Sequence, residues 1–106
     1  MIPGAVDGAN MLTQVFNANL GGLQNTLNAT LQGIDIRMLD LHTLLNGIID
    51  NPEDFGITNT EDACITPNDA PFTCKNPDSY LFWDGIHPTK IVHDIMAQKA
   101  AEVLND

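Results

Sequence analysis

Between Asp7 and Asp35 the chain carries no charged side chain. Within that stretch Leu12, Phe16, Leu20, Leu23, Leu27 and Leu31 recur at three- and four-residue steps, and Met11 and Val15 widen the stripe. The pattern predicts a helix over about 7–32 with one apolar face. Its other face is amide-rich: Asn10, Gln14, Asn17, Asn19, Gln24, Asn25 and Asn28. A stripe of this width has to be covered, so whatever follows must supply a layer for it. Gly21 and Gly22 in mid-helix each weaken it by about 1 kcal/mol relative to alanine. Close packing against another element, or a kink, is the expected reason for them. Asn28-Ala29-Thr30 matches a glycosylation sequon and is read as a chance match.

The rest of the chain is expected to provide too little to cover that stripe. Gly33 is predicted to end the helix. Ile34-Asp35-Ile36-Arg37-Met38 alternates apolar and polar, which predicts a short strand. Asp40 is a candidate N-cap for a second helix through Leu41, Leu44, Leu45, Ile48 and Ile49, ended by Pro52. A long irregular loop is expected over about 51–79. The concentrated apolar run Tyr80-Leu81-Phe82-Trp83 follows it, then a turn over 84–89 and a last helix over about 89–104. The helix–strand–helix order predicts an α/β layered fold. One strand cannot form a sheet for the stripe, and 106 residues fit one small domain or part of a larger one. The isolated chain is therefore expected to self-associate, to swap elements, or to be held by a missing part.

Composition removes several classes of partner. The 106 residues contain four Lys and Arg against fourteen Asp and Glu, a net charge of −10. Phosphates need basic side chains opposite them, so nucleic acid is not expected, and neither is an anionic membrane surface. Hydrophobic residues make up 43%, enough for a core. No apolar run approaches the ~18 residues of a membrane span. Met1-Ile2-Pro3-Gly4 has no basic segment and no apolar core, so no signal peptide is read there. The two cysteines, Cys64 and Cys74, both fall in the polar loop. A disulfide would clip that loop and imply an oxidising compartment, secreted or periplasmic, with upstream residues removed. Two free thiols in a cytosolic loop are the alternative.

One turn carries chemistry. Asp84 and His87, three residues apart after an aromatic cluster, are spaced for the carboxylate to reach Nδ1–H of the imidazole. That bond would leave Nε2 outward as a base and stabilise the imidazolium once a proton is taken up. Pro88 stiffens the turn and turns His87 away from helical geometry. Phe82 and Trp83 are expected to lower the local dielectric. The plain alternative is a capped turn with a surface histidine. A metal site at His87, His93 and Asp94 is disfavoured, because a helix turns the two histidines to different faces. No metal and no cofactor is expected. His42 is read as a surface residue, and His93 as a packing or capping residue.

These residues resemble a known family. Tyr80 to Thr89, YLFWDGIHPT, resembles the C-terminal block of the GDSL, or SGNH-hydrolase, lipases and esterases, which has the form F-W-D-x-x-H-P-T. His93 matches a further histidine of that block, and Ala97 a small residue after it. Leu12-Thr13, Phe16-Asn17 and Leu20 resemble the family's "LT…FN…L" helix. Asn51-Pro52 with Phe55-Gly56-Ile57-Thr58 resembles its "NP…yGft" segment. Cys64 and Cys74 fall where many secreted members carry a cysteine pair.

The resemblance implies that residues 1–106 are a single incomplete domain, the C-terminal portion of a three-layer α/β/α sandwich, and that the family's chemistry is hydrolysis of carboxylic esters or lipids through a Ser-His-Asp triad. By position Asp84 would be the acid and His87 the base. The family's nucleophile and oxyanion blocks have no match: no Gly-Asp-Ser-Leu occurs, and the chain's one serine, Ser79, lacks the tight turn into a helix that exposes a nucleophile. Asn68-Asp69 lacks the preceding glycine of the family's asparagine block. The chain alone is therefore expected to be inactive, with an ester or lipid substrate and the missing N-terminal part, or a self-associated copy, as partners. The alternative is a non-catalytic binding module that retains this part of the family.

Overall fold

The computed structural model describes residues 3–105. The chain divides into two compact units, Met1–His42 and Thr43–Asp106.

In the first unit, helix α1 spans Ala5–Thr30. The helix ends at Thr30 rather than at Gly33: Leu31 is already extended while its N–H still donates to the Leu27 carbonyl. Gly33 instead occupies a left-handed turn beyond the end, with φ of 78°, a conformation that glycine adopts without a Cβ penalty. No residue of α1 is buried; Leu12 is 72% and Phe16 66% exposed. The stripe predicted from the sequence is therefore present and uncovered. The close packing expected at Gly21 and Gly22 is not found. A Cβ at Gly21 would meet only Met38 Sδ, at 4.0 Å, and one at Gly22 would meet nothing within 4 Å.

The strand expected over 34–38 does not form. The segment joins no ladder. The side chain of Asn28 takes the place of a neighbouring strand. Its Oδ1 accepts the Ile36 N–H at 2.8 Å, and its Nδ2 donates to the Ile36 carbonyl at 2.8 Å. Gln24 Nε2 donates to the same carbonyl at 2.7 Å. A carboxamide presents the same donor–acceptor pair as a peptide group, so α1 satisfies the backbone that alternation alone would assign to a sheet. Asn28 Nδ2 is thus engaged inside the fold.

The second unit holds all but the first two residues of α2 (Leu41–Asp50), which is followed by a 3-10 turn over Pro52–Phe55. The region expected to be one irregular loop, 51–79, also holds strand β1 (Asn59–Ala63) and a second 3-10 turn, Pro77–Ser79. The latter leads into β2 (Tyr80–Phe82), and α3 covers Lys90–Asn105. β1 and β2 pair in parallel, Asn59 opposite Tyr80 and Ala63 opposite Phe82, with an irregularity between. Asn59 contributes to that irregularity, because its Oδ1 accepts the N–H groups of both Glu61 and Asp62. Ile48 of α2, Ile57, Leu81 of β2 and Val92 of α3 are fully buried together. Leu44, Leu45, Phe55, Phe82, Ile91, Ile95 and Met96 pack around them. Cys64 and Cys74 are joined as a disulfide, with Cα atoms 5.5 Å apart, within the usual range. Closing that loop contributes roughly 2–3 kcal/mol.

Candidate functional site

β2 delivers the site. Its central residue, Leu81, is fully buried, which fixes the direction in which the chain leaves the core at Trp83. The chain then reverses: Trp83 N–H donates to the His87 carbonyl at 2.8 Å, Phe82 bridges Pro88, and Thr89 N–H donates to the Leu81 carbonyl at 3.0 Å. Thr89 locks the return. It is buried, its hydroxyl donates to the Tyr80 carbonyl at 2.8 Å, and its carbonyl accepts His93 N–H as α3 begins. A Pro88 ring, which lacks an N–H, sits where no donor is required.

Inside this reversal Asp84 and His87 meet. Asp84 Oδ1 accepts the backbone N–H of Ile86 at 2.9 Å and of His87 at 2.7 Å. Nδ1 of the His87 ring lies 2.8 Å from Oδ2 and 3.0 Å from Oδ1. A carboxylate only accepts, so Nδ1 carries the proton in this contact, and in the neutral form of the ring the lone pair is then on Nε2. The two backbone N–H groups, Ile86 first and His87 second, and then the His87 ring, hold the Asp84 carboxyl down to about 2. The Asp84 carboxyl is therefore ionised throughout the neutral range.

The depression has a sign. A carboxyl whose folded pKa lies below its unfolded value stabilises the fold above the ordinary aspartate range, and that contribution is lost as pH falls toward about 2. The Asp84 carboxyl carbon, followed by NMR against pH, is expected to titrate with a midpoint near 2. A midpoint in the ordinary aspartate range would mean that the Ile86 and His87 amides do not hold the carboxylate in solution.

The expected dry surroundings are not there. Side-chain exposure is 18% for Asp84 but 65% for His87. Trp83 is 36% exposed, and Phe82 packs against the core. β2 ends at Phe82, and Trp83 lies in the bend beyond it, so the two neighbouring rings are held differently. Ser79 stands at the other end of β2, roughly 13 Å of extended chain away. His93 is exposed on α3, and Asp94 pairs with Lys90, whose Nζ lies 3.0 Å from Oδ2 and whose pKa is raised by it. Among the described residues no group of three His, Cys, Asp or Glu side chains is placed to hold a metal ion, and no helix is long and apolar enough to cross a membrane.

What sequence reading missed is the hold on the turn from β1: Cys64 N–H donates to the Phe82 carbonyl at 3.1 Å and Ile65 N–H to the Trp83 carbonyl at 2.9 Å. Only the adjacency of Cys64 to the loop clip could have pointed to it.

No family model matches the chain. Individual relatives do. It is 34% identical over 100 residues to the GDSL esterase/lipase At1g71691 of Arabidopsis thaliana, covering 86% of this chain and 26% of that protein. It is 30% identical over 106 residues to the GDSL esterase/lipase At1g20120 of the same plant, covering 91% of this chain and 26% of that protein. To GDSL esterase/lipase 7, also from Arabidopsis thaliana, it is 30% identical over 103 residues, 89% of this chain and 28% of that protein. The chain thus spans about a quarter of the length of the curated relatives it matches and corresponds to their C-terminal part. Similarity at this level along nearly its whole length, together with the F-W-D-x-x-H-P-T block, makes the chain a member of the GDSL esterase/lipase family.

Proposed function

We propose that this chain supplies the acid and the base of a serine ester hydrolase, Asp84 orienting His87, while the nucleophilic serine and the oxyanion donors belong to the part of the enzyme that the chain does not span. The observation that carries the reading is the bidentate approach of the Asp84 carboxylate to His87 Nδ1. It selects the tautomer with a basic Nε2, and the exposure of His87 leaves that nitrogen reachable by a serine from another segment. In the first half of the reaction Nε2 takes the serine proton as its oxygen attacks the ester carbonyl. It then returns the proton to the departing alcohol, and the carboxylate balances the imidazolium between the two events. No cofactor enters this chemistry. The disulfide supports work in an oxidising compartment, secreted or periplasmic.

The uncovered stripe of α1 fits the same reading, since an apolar face of that size requires a layer from the rest of the enzyme or from a second copy. It also fits the alternative, a binding module with no catalysis. The two separate on one measurement. The chain alone is expected to leave p-nitrophenyl butyrate unhydrolysed, and the chain completed with the upstream part of the same enzyme is expected to hydrolyse it. Absence of hydrolysis in a folded, completed enzyme would favour the binding module.

A further inference from the structure

Trp83 is held at both of its peptide groups. Its N–H closes the turn on the His87 carbonyl, and its own carbonyl accepts Ile65 N–H at 2.9 Å. That carbonyl belongs to the same planar unit as the Asp84 nitrogen. Ile65 therefore orients the peptide plane from which the Asp84 side chain departs. One residue earlier, Cys64 N–H holds the Phe82 carbonyl at 3.1 Å. Both donors lie just past the end of β1, where the chain turns into a stretch, 66–73, that is exposed at every residue. No apolar burial anchors that stretch. Its tie is the bond from Cys64 to Cys74, which stands three residues before the 3-10 turn that feeds β2.

From this arrangement we infer that the Cys64–Cys74 disulfide is a positioning device for the Asp84–His87 pair: it keeps the Cys64 and Ile65 amides on the Phe82 and Trp83 carbonyls and so sets the turn from which Asp84 reaches His87. The functional consequence rests on the acid–base reading above; the coupling itself is geometric. A dithiol reductant takes up the oxidising equivalents as its own disulfide and leaves Cys64 and Cys74 as thiols. The segment 64–74 is then free to leave the end of β2, and the plane before Asp84 loses its outer hydrogen bond.

The test compares the amide and methyl NMR spectra of the 106-residue chain before reduction with those after reduction and alkylation by iodoacetamide. The Cys64→Ser/Cys74→Ser double variant is expected to behave as the reduced form. The amides of Ile65, Trp83, Ile86 and His87 are expected to shift and to exchange faster with solvent. The Asp84 carboxyl midpoint is expected to climb from about 2 toward the ordinary aspartate range, while the methyl signals of Ile48, Ile57, Leu81 and Val92 stay in place. Rejoining the reduced cysteines through a one-carbon bridge is expected to restore the oxidised turn. Turn amides unmoved by reduction would overturn the inference, and so would a bridge that restores nothing. Loss of turn and core signals together would also overturn it, because the disulfide would then be a general stabiliser. No ester is present in these measurements. Full hydrolysis by a completed His87→Ala enzyme would remove the acid–base reading and leave the coupling to the spectra.

Discussion

In the completed enzyme, His87→Ala is expected to abolish ester hydrolysis, with a loss in kcat on the order of a million-fold. On the proposed function, the nitrogen that would take the serine proton disappears with the ring, which is also the side chain that bonds to Asp84. Asp84→Ala is expected to cost less, on the order of ten-thousand-fold, because the base survives while losing the partner that selects its tautomer. Ser79→Ala is expected to leave the rate within about two-fold, since Ser79 stands at the far end of β2 from the turn. The ordering of the three variants is the informative result. Hydrolysis by the isolated chain that stops on Ser79→Ala would make Ser79 the nucleophile and reverse the assignment.

Leu81→Ala is expected to destabilise the second unit by about 2–5 kcal/mol, read as a lower urea midpoint at an unchanged slope. Leu81 is fully buried among Ile48, Ile57 and Val92, so truncation removes its transfer free energy and leaves a cavity lined by α2, α3 and the connection that holds Ile57. Its carbonyl still accepts Thr89 N–H, so the loss reports on packing rather than on the backbone. Against a typical total stability of about 5–15 kcal/mol this is a large fraction. Ile86→Ala at the exposed tip of the same turn is expected to change stability by no more than about 0.5 kcal/mol. A Leu81→Ala loss below about 1 kcal/mol would mean that β2 is not the centre of this core.

Local chemistry made several elements readable in advance. The 3.6-residue period marks α1, α2 and α3 to within two residues at each end. The Asp84–His87 contact was readable because it lies within one turn, where three-residue spacing and a following proline leave few geometries. The clip between Cys64 and Cys74 was readable for a related reason, since an exposed loop of that length is held by little else.

The misreadings share a cause. Ile34 to Met38 alternates as a strand should, yet alternation states only which sides the residues face. Whether a ladder forms depends on a neighbour, and here Asn28 answers the Ile36 backbone from a helix. Asn59 to Ala63 has no apolar alternation and still forms β1, because β2 lies beside it in parallel register, Asn59 opposite Tyr80 and Ala63 opposite Phe82. Phe82 and Trp83 are neighbours in sequence, yet Phe82 packs on the core while Trp83 stays exposed in the bend past β2, a difference that depends on what packs against each. The sequence by itself determined the helices, the apolar stripe of α1, the Asp84–His87 turn and the family, because each depends on residues close together along the chain. Only the tertiary structure decided which segments pair as strands, which aromatic rings stay exposed, and that the amides beside Cys64 hold the carbonyls of Phe82 and Trp83, because each of these depends on a partner distant in sequence.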